Sequence, residues 1–328
     1  MKNIQADIKS GNFKQVYLLY GEEAYLKQQY KQNLVKALNP DGDTMNFNHY
    51  EGKGIDVKQL IDLCETMPFF AERRVVLLED TGFYKNKCEE LADYMKELPD
   101  YLYLVFAETE VDKRNRMYKA VKAYGSIAEF IRQDEKTLMR WAAGILGKAG
   151  KKITQRDMEL LLTKTGTDMG NLRMEMEKLI SYTEGRDVVT AEDIEEICTT
   201  QTTNRIFDMV RAVTEKNQKR ALELYYDLLT LKEPPMRILF LLAKQYRQLL
   251  LAKQFAAAGL AQTEIGSKLG VPGFVVKNIT TCARAYTISE LEQAVKDFVD
   301  AEESVKTGRL EDKLSVELLI IKYSSKVK

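Results

Sequence analysis

The chain has 328 residues, too many for one ordinary hydrophobic core, so two or three domains are expected. Apolar residues make up 45% and charged residues 30%, a balance that excludes a disordered chain. Lys plus Arg equals Asp plus Glu at 49 each, so no whole-chain charge attracts a nucleic acid or a membrane, and any such contact must be local.

His49 is the only histidine, which removes most of the acid–base, triad and zinc-site repertoire. Cys64, Cys88, Cys198 and Cys282 are scattered without a C-x-x-C pair, a usage that suits a reducing cytoplasm and forms no metal pattern. The opening segment Met1 to Asp7 has no apolar signal core, so export is not expected. The most apolar helical stretch, Ile238 to Ala243, lies between Arg237 and Lys244 and is too short to span a bilayer.

Residues 1–132 alternate strand and helix. Val16 to Tyr20 is an apolar run ending at Gly21, and a helix follows from Glu22 with Tyr25, Leu26, Tyr30, Leu34 and Leu38 inward. Asn39-Pro40-Asp41-Gly42 stops it, and Met45 to Glu51 is a weaker strand. Val57, Leu60, Ile61 and Cys64 recur at i, i+3, i+4 and i+7, which predicts a short helix over Asp56 to Glu65, capped by Asp56 with Gln59. Val75 to Leu78 is a strand apolar on both faces, as in a covered parallel sheet. A helix over Cys88 to Leu98, a strand over Tyr101 to Ala107, a basic helix over Lys113 to Tyr124 and a strand over Ser126 to Ile131 complete the set. This order predicts a parallel sheet with helices on both faces.

From Gln133 the β signals stop. Helices are expected around Leu138 to Ile145, from Thr154, from Thr167 or Asp168, and from Thr190 with Asp193, forming a small helical domain over 133–203. Polar Thr199 to Thr203 resembles a hinge. An all-α domain over 204–328 follows, opened by Asn204 as a cap. It includes a long helix from Pro235, and a helix with Ser289 and Glu292 as its capping box.

Between the Asp56 helix and the Val75 strand lies Met67-Pro68-Phe69-Phe70. Pro68 holds Met67 extended and removes a donor, so the segment leaves the helix and runs over the surface. Either the two phenylalanines fold back to plug the local core, or they stand exposed for a partner.

A parallel α/β domain followed by a small helical one is the layout of an AAA+ nucleotide-binding module. The first strand-to-helix turn should then read G-x-x-x-x-G-K-[ST], but here it is Gly21-Glu22-Glu23-Ala24-Tyr25-Leu26. Two carboxylates stand at the positive helix end where a phosphate would sit, and no lysine appears before Lys27, which argues against nucleotide binding. Glu108 and Glu110, placed where an ATPase carries metal-holding acids, are expected to be exposed, and Gly144 to Lys152 to be a solvated basic loop. Thr263 to Pro272 suggests a helix-turn-helix with its turn at Gly270. The second helix offers only Lys277 and Arg284, too little charge for DNA, so packing between helices is the expectation.

Several segments, in order and spacing, carry a resemblance that covers the full length. They are Tyr17 to Leu26, Met67 to Arg74, Gly166 to Leu172 with Glu175 to Leu179, Asn204 to Asp208, and Lys306-Thr307-Gly308. In these the chain resembles the delta subunits of bacterial DNA polymerase III clamp loaders. The resemblance implies an AAA+-like α/β domain and a lid-like helical domain that have lost ATP binding, followed by an all-α collar domain. It implies a non-catalytic subunit of the polymerase holoenzyme, with no catalytic residue, cofactor or metal. Implied partners are the β sliding clamp, the ATPase gamma/tau-type and delta-prime subunits, and primer-template DNA within the complex, in the cytoplasm at the replicating nucleoid. In that family an apolar pair after the third helix enters a groove of the clamp ring. By position the clamp-binding residues are Phe69 and Phe70, with Met67, Pro68, Arg73 and Arg74 beside them. The family's pair is often leucine-phenylalanine, so two phenylalanines after a proline depart from it. Supporting contacts are expected from the helix opening at Glu22 or from Arg73 and Arg74. An active ATPase with an atypical cradle and a helix-turn-helix regulator are the alternative readings.

Overall fold

A computed structural model describes residues 2–199, 202–271 and 273–325. The chain divides into two compact units, residues 1–133 and 134–328.

The first unit is built on five parallel strands, β1 (Val16–Tyr20), β2 (Phe47–Glu51), β3 (Arg74–Glu79), β4 (Leu102–Glu108) and β5 (Ser126–Glu129), in the order β2-β3-β4-β1-β5. Helices α1 (Lys2–Ser10), α2 (Ala24–Leu38), α3 (Val57–Cys64), α4 (Glu89–Tyr94) and α5 (Arg116–Tyr124) complete it. Successive side chains of a strand face opposite ways, so a strand covered on both faces must be apolar throughout. Val16, Leu18, Val76, Leu78, Leu104 and Phe106 pack with Leu60, Leu91 and Val121 on one face. Tyr17, Leu19, Val75, Leu77 and Val105 pack with Ile4, Leu34 and Leu38 on the other. This is the parallel sheet, covered on both faces, that the sequence leads one to expect.

Several local readings change. Helix α1 carries too few apolar residues to stand out, yet Ile4 is fully buried and the Tyr17 hydroxyl donates to Asp7 Oδ2 at 2.9 Å. The Cys88 helix is shorter than expected, ending at Tyr94. Asp56 caps α3 as read, accepting from the amides of Lys58 and Gln59.

In the second unit, α6 (Glu135–Lys148), α7 (Gln155–Thr165), α8 (Met169–Tyr182) and α9 (Ala191–Ile197) are capped by Asp134, Thr154, Asp168 and Thr190, the last with a reciprocal bond from Asp193. β structure does not stop at Gln133. Two two-residue strands, β6 (Lys152–Ile153) and β7 (Val188–Val189), form a parallel pair too short to leave a pattern in the sequence. Nor is Gly144 to Lys152 a solvated loop: Gly144 to Lys148 is the last part of α6, with Leu146 buried, and Lys151 Nζ donates to the carbonyls of Thr183 and Arg186, each at 2.6 Å.

The remaining helices are α10 (Thr202–Thr214), α11 (Gln218–Thr230), α12 (Pro235–Ala257), α13 (Gln262–Leu269), α14 (Gly273–Ala283), α15 (Ile288–Lys306) and α16 (Asp312–Ser324). Backbone helix begins at Thr202, ahead of the expected Asn204 cap, and the hinge residues Thr200 and Gln201 lie outside the described residues. The capping box of α15 is Thr287 with Glu290, two residues before the Ser289 and Glu292 pair suggested by spacing. Helix α12 runs through the core, where Tyr246 meets the rings of Tyr286, Phe298 and Tyr323.

One contact tests the packing of the first unit. Gly21 has φ +124°, and a Cβ there would lie 2.3 Å from the Phe130 carbonyl oxygen. Gly21→Ala is expected to cost about 3 kcal/mol, since neither backbone segment yields without disturbing the sheet. Urea denaturation measures it.

Candidate functional site

A parallel sheet offers two ends. At the carboxyl end, where such folds commonly bind ligands, the strand-to-helix turn after β1 is closed. The Glu23 amide, which would face a phosphate, donates to Phe130 O at 3.0 Å, and the Phe130 amide donates to Tyr20 O at 2.7 Å. The space an anion would need beside Gly21 holds the Phe130 carbonyl. Lys27 Nζ donates to Glu108 O at 2.9 Å, and burial lowers its pKa. Lys31 pairs with Glu79 at 2.7 Å, and His49 Nε2 lies 2.9 Å from the same carboxylate. Glu108 is buried, contrary to expectation, because its carboxylate accepts from the Thr81 hydroxyl at 2.6 Å and the Thr81 amide at 3.1 Å; desolvation pushes its pKa up. Glu110 does face solvent and pairs with Lys85. These residues do not fit a nucleotide phosphate, since the groups that would hold it already hold one another. Among the described residues no cluster of His, Cys, Asp or Glu could hold a metal, and no helix is long and apolar enough to cross a membrane.

The amino end of the sheet, roughly 17 Å away along five strand residues, is different. Here α3 gives way to Thr66–Arg73, and the phenylalanines do not fold back. Phe70 is 95% exposed, Met67 74% and Phe69 56%, while Pro68 is half-buried. The two rings meet edge to face with centroids 4.5 Å apart. Phe70 has φ +50°, a left-handed conformation that costs a bulky residue on the order of 1–2 kcal/mol and persists only when its surroundings impose it.

The surroundings are polar. Asn46 is buried, and its side-chain amide grips Phe69 from both sides. It accepts from the Phe69 amide at 2.7 Å and donates to the Phe69 carbonyl at 2.8 Å. From the other flank Arg74 Nε donates to Thr66 O at 2.9 Å, while Nη2 donates to Met67 O at 3.3 Å and Nη1 to Asn48 Oδ1 at 3.1 Å. Arg74 is only 5% exposed, which corrects its reading as a partner-binding residue: it is a strut beneath the loop. Arg73 is half-buried, with its guanidinium 5.2 Å from the Phe13 ring and 5.5 Å from the Tyr103 ring. Glu22 stands at the opposite end of the sheet, so the first turn of α2 is remote from the loop.

Sequence reasoning missed Asn46, and it missed Met45 beside it, which is 65% exposed. Both sit ahead of a weak strand. The only available signal was an apolar residue and an asparagine at a strand start.

The α13–α14 pair suggested by the glycine turn is a packing element. Gly270 is left-handed at φ +64°, a Cβ on Gly266 would touch Val276 Cγ2 at 3.0 Å, and Ile265, Val276 and Ile279 are buried in the helical core.

Two family models match the chain: DNA polymerase III, delta subunit, over residues 17–130, and the C-terminal domain of the same subunit over 203–323. The chain belongs to the DNA polymerase III delta subunit family. Among curated members it is 26% identical over 332 residues to the Bacillus subtilis DNA polymerase III subunit delta, covering 97% of this chain and 95% of that one. It is 22% identical over 276 residues to the probable delta subunit of Aquifex aeolicus, covering 80% and 77%. The solved structure of the Bacillus subtilis DNA clamp loader delta protein shares the fold, with a TM-score of 0.68 at 24% identity over 99% of both chains.

Exposure and burial separate the loop residues in a measurable way. Phe70→Ala is expected to change stability by no more than about 0.5 kcal/mol, as for other surface substitutions. Arg74→Ala should cost about 2–3 kcal/mol by leaving the loop carbonyls without their donor. Thermal denaturation of the two variants separates the exposed tip from its support.

Proposed function

We propose that this chain is the ring-opening subunit of a clamp loader, docking on the β sliding clamp through the Met67–Phe70 loop during DNA replication. The observation that carries the reading is the exposed aromatic pair on a loop fixed by Asn46 and Arg74, in a chain of this family. An apolar tip kept in water by polar struts gains free energy only when a partner covers it. Met67, Phe69 and Phe70 supply the contact, with Pro68 shaping the tip and Arg73 at its edge; Arg74 acts from beneath.

Burial of each phenylalanine is worth about 1.5–3 kcal/mol, or roughly 3–6 for the pair. Association costs an estimated 4–15 kcal/mol, so the tip needs neighbouring contacts on the same surface. Opening then follows if the chain fits the open ring better than the closed one, because a ligand shifts an equilibrium only by its differential affinity. With the carboxyl end of its own sheet closed, the chain leaves ATP-driven steps to other loader subunits. In this reading residues 1–132 carry the docking loop and 133–203 form the lid-like domain. Residues 204–328 join a collar with the ATPase and delta-prime-type subunits, and primer-template DNA is met only within that assembly, in the cytoplasm.

The test is capture of purified sliding clamp by the full chain. Replacing both Phe69 and Phe70 by alanine is expected to weaken binding by about a hundredfold or more while leaving the melting temperature unchanged. Wild-type affinity in that double variant removes the site assignment.

A further inference from the structure

We infer that Asn39, Asp43 and Asn46 form a side-chain relay that holds the docking loop in its binding shape from the end of α2, which makes Asn46 a positioning residue for partner capture. The inference rests on the docking role proposed above and extends it to residues that do not touch the partner.

The relay is continuous in hydrogen bonds. Helix α2 stops at Asn39, whose side chain donates to Asp43 O at 2.9 Å and accepts from the Asp43 amide at 2.9 Å. Asp43, thus fixed, offers Oδ1 to the Met45 amide at 2.8 Å and Oδ2 to Asn46 Nδ2 at 2.5 Å. The bond from Asn46 is the main cause holding the Asp43 carboxyl below its usual range. The second Nδ2 hydrogen of Asn46 goes to Phe69 O, and its Oδ1 takes the Phe69 amide. Both Nδ2 donors are therefore used, and the orientation of the amide is set from behind by Asp43.

The grip falls on the two peptide planes flanking Phe69. The carbonyl it holds belongs to the peptide that leads into Phe70, so fixing that plane restricts φ of Phe70 and stabilises its left-handed turn. Met67, Phe69 and Phe70 are themselves exposed and bury little that could anchor the tip. Without Asn46 the loop keeps Arg74 at Thr66 and Met67 but loses its hold on the residue between Pro68 and Phe70. A loop that must be ordered on docking binds more weakly than one already in shape.

The experiment compares the full-length wild type with Asn46→Ala, Asp43→Ala and Phe69→Ala/Phe70→Ala. Affinity for immobilised sliding clamp is measured alongside the rate of chymotrypsin cleavage after Phe69 and Phe70. The relay predicts that Asn46→Ala binds about tenfold more weakly and is cut several-fold faster, although both phenylalanines are present. Asp43→Ala moves both readouts the same way by a smaller factor, and it decides the matter if Asn46→Ala does not fold. Unchanged affinity and cleavage in the Asn46 and Asp43 variants, with binding lost in the double phenylalanine variant, overturns the relay and leaves docking intact. Binding retained by the double phenylalanine variant overturns the docking reading instead.

Discussion

The amide of Asn46, bonded at 2.7 and 2.8 Å to the two peptides around Phe69, is the interaction that fixes the exposed loop. Left alone, a loop with two phenylalanines and a methionine in eight residues would collapse onto the nearest apolar surface. Here collapse is prevented by polar means. The Asn46 carbonyl accepts from the Val75 amide at 2.9 Å and Arg74 is the first residue of β3, so the tip is tied to the sheet of the first unit. The left-handed turn at Phe70 is strain that this framework sustains.

The two ends of the sheet carry opposite solutions to the same problem of unsatisfied groups. At the carboxyl end, Lys27, Lys31, Glu79, Thr81 and Glu108 satisfy one another, and the Phe130 backbone fills the turn at Gly21. None of these groups is left for an anion. At the amino end the polar groups are also satisfied, but what they hold outward is apolar. A fold commonly used to bind a ligand at one end thus presents, in this chain, an exposed apolar loop at the other.

Much of this was legible in the sequence, for physical reasons. A strand buried on both faces must be apolar throughout, so Val16 to Tyr20 and Val75 to Leu78 declare a covered parallel sheet without any structure. Helix caps such as Asp56, Thr154 and Thr190 declare themselves through local chemistry. The exposure of Phe69 and Phe70 was not decidable from their own residues, because a core plug and a docking tip have the same composition. What separates them is the buried side chain of Asn46, whose partner is 23 residues away along the chain. Arg74 and Glu108 were misread for the related reason that charge suggests solvent. Their burial depends on the carbonyls of a neighbouring loop in one case and on Thr81 in the other. The Ser289 cap failed more simply, since Thr287 offers the same chemistry one position before the helix starts.

The most direct measurement is a structure of the full chain bound to the sliding clamp. The account predicts that the rings of Phe69 and Phe70 lie within an apolar groove of the ring protein, with the Asn46 amide still bonded to Phe69. A complex in which some other face of the chain makes the contact, and both rings stay in solvent, contradicts it.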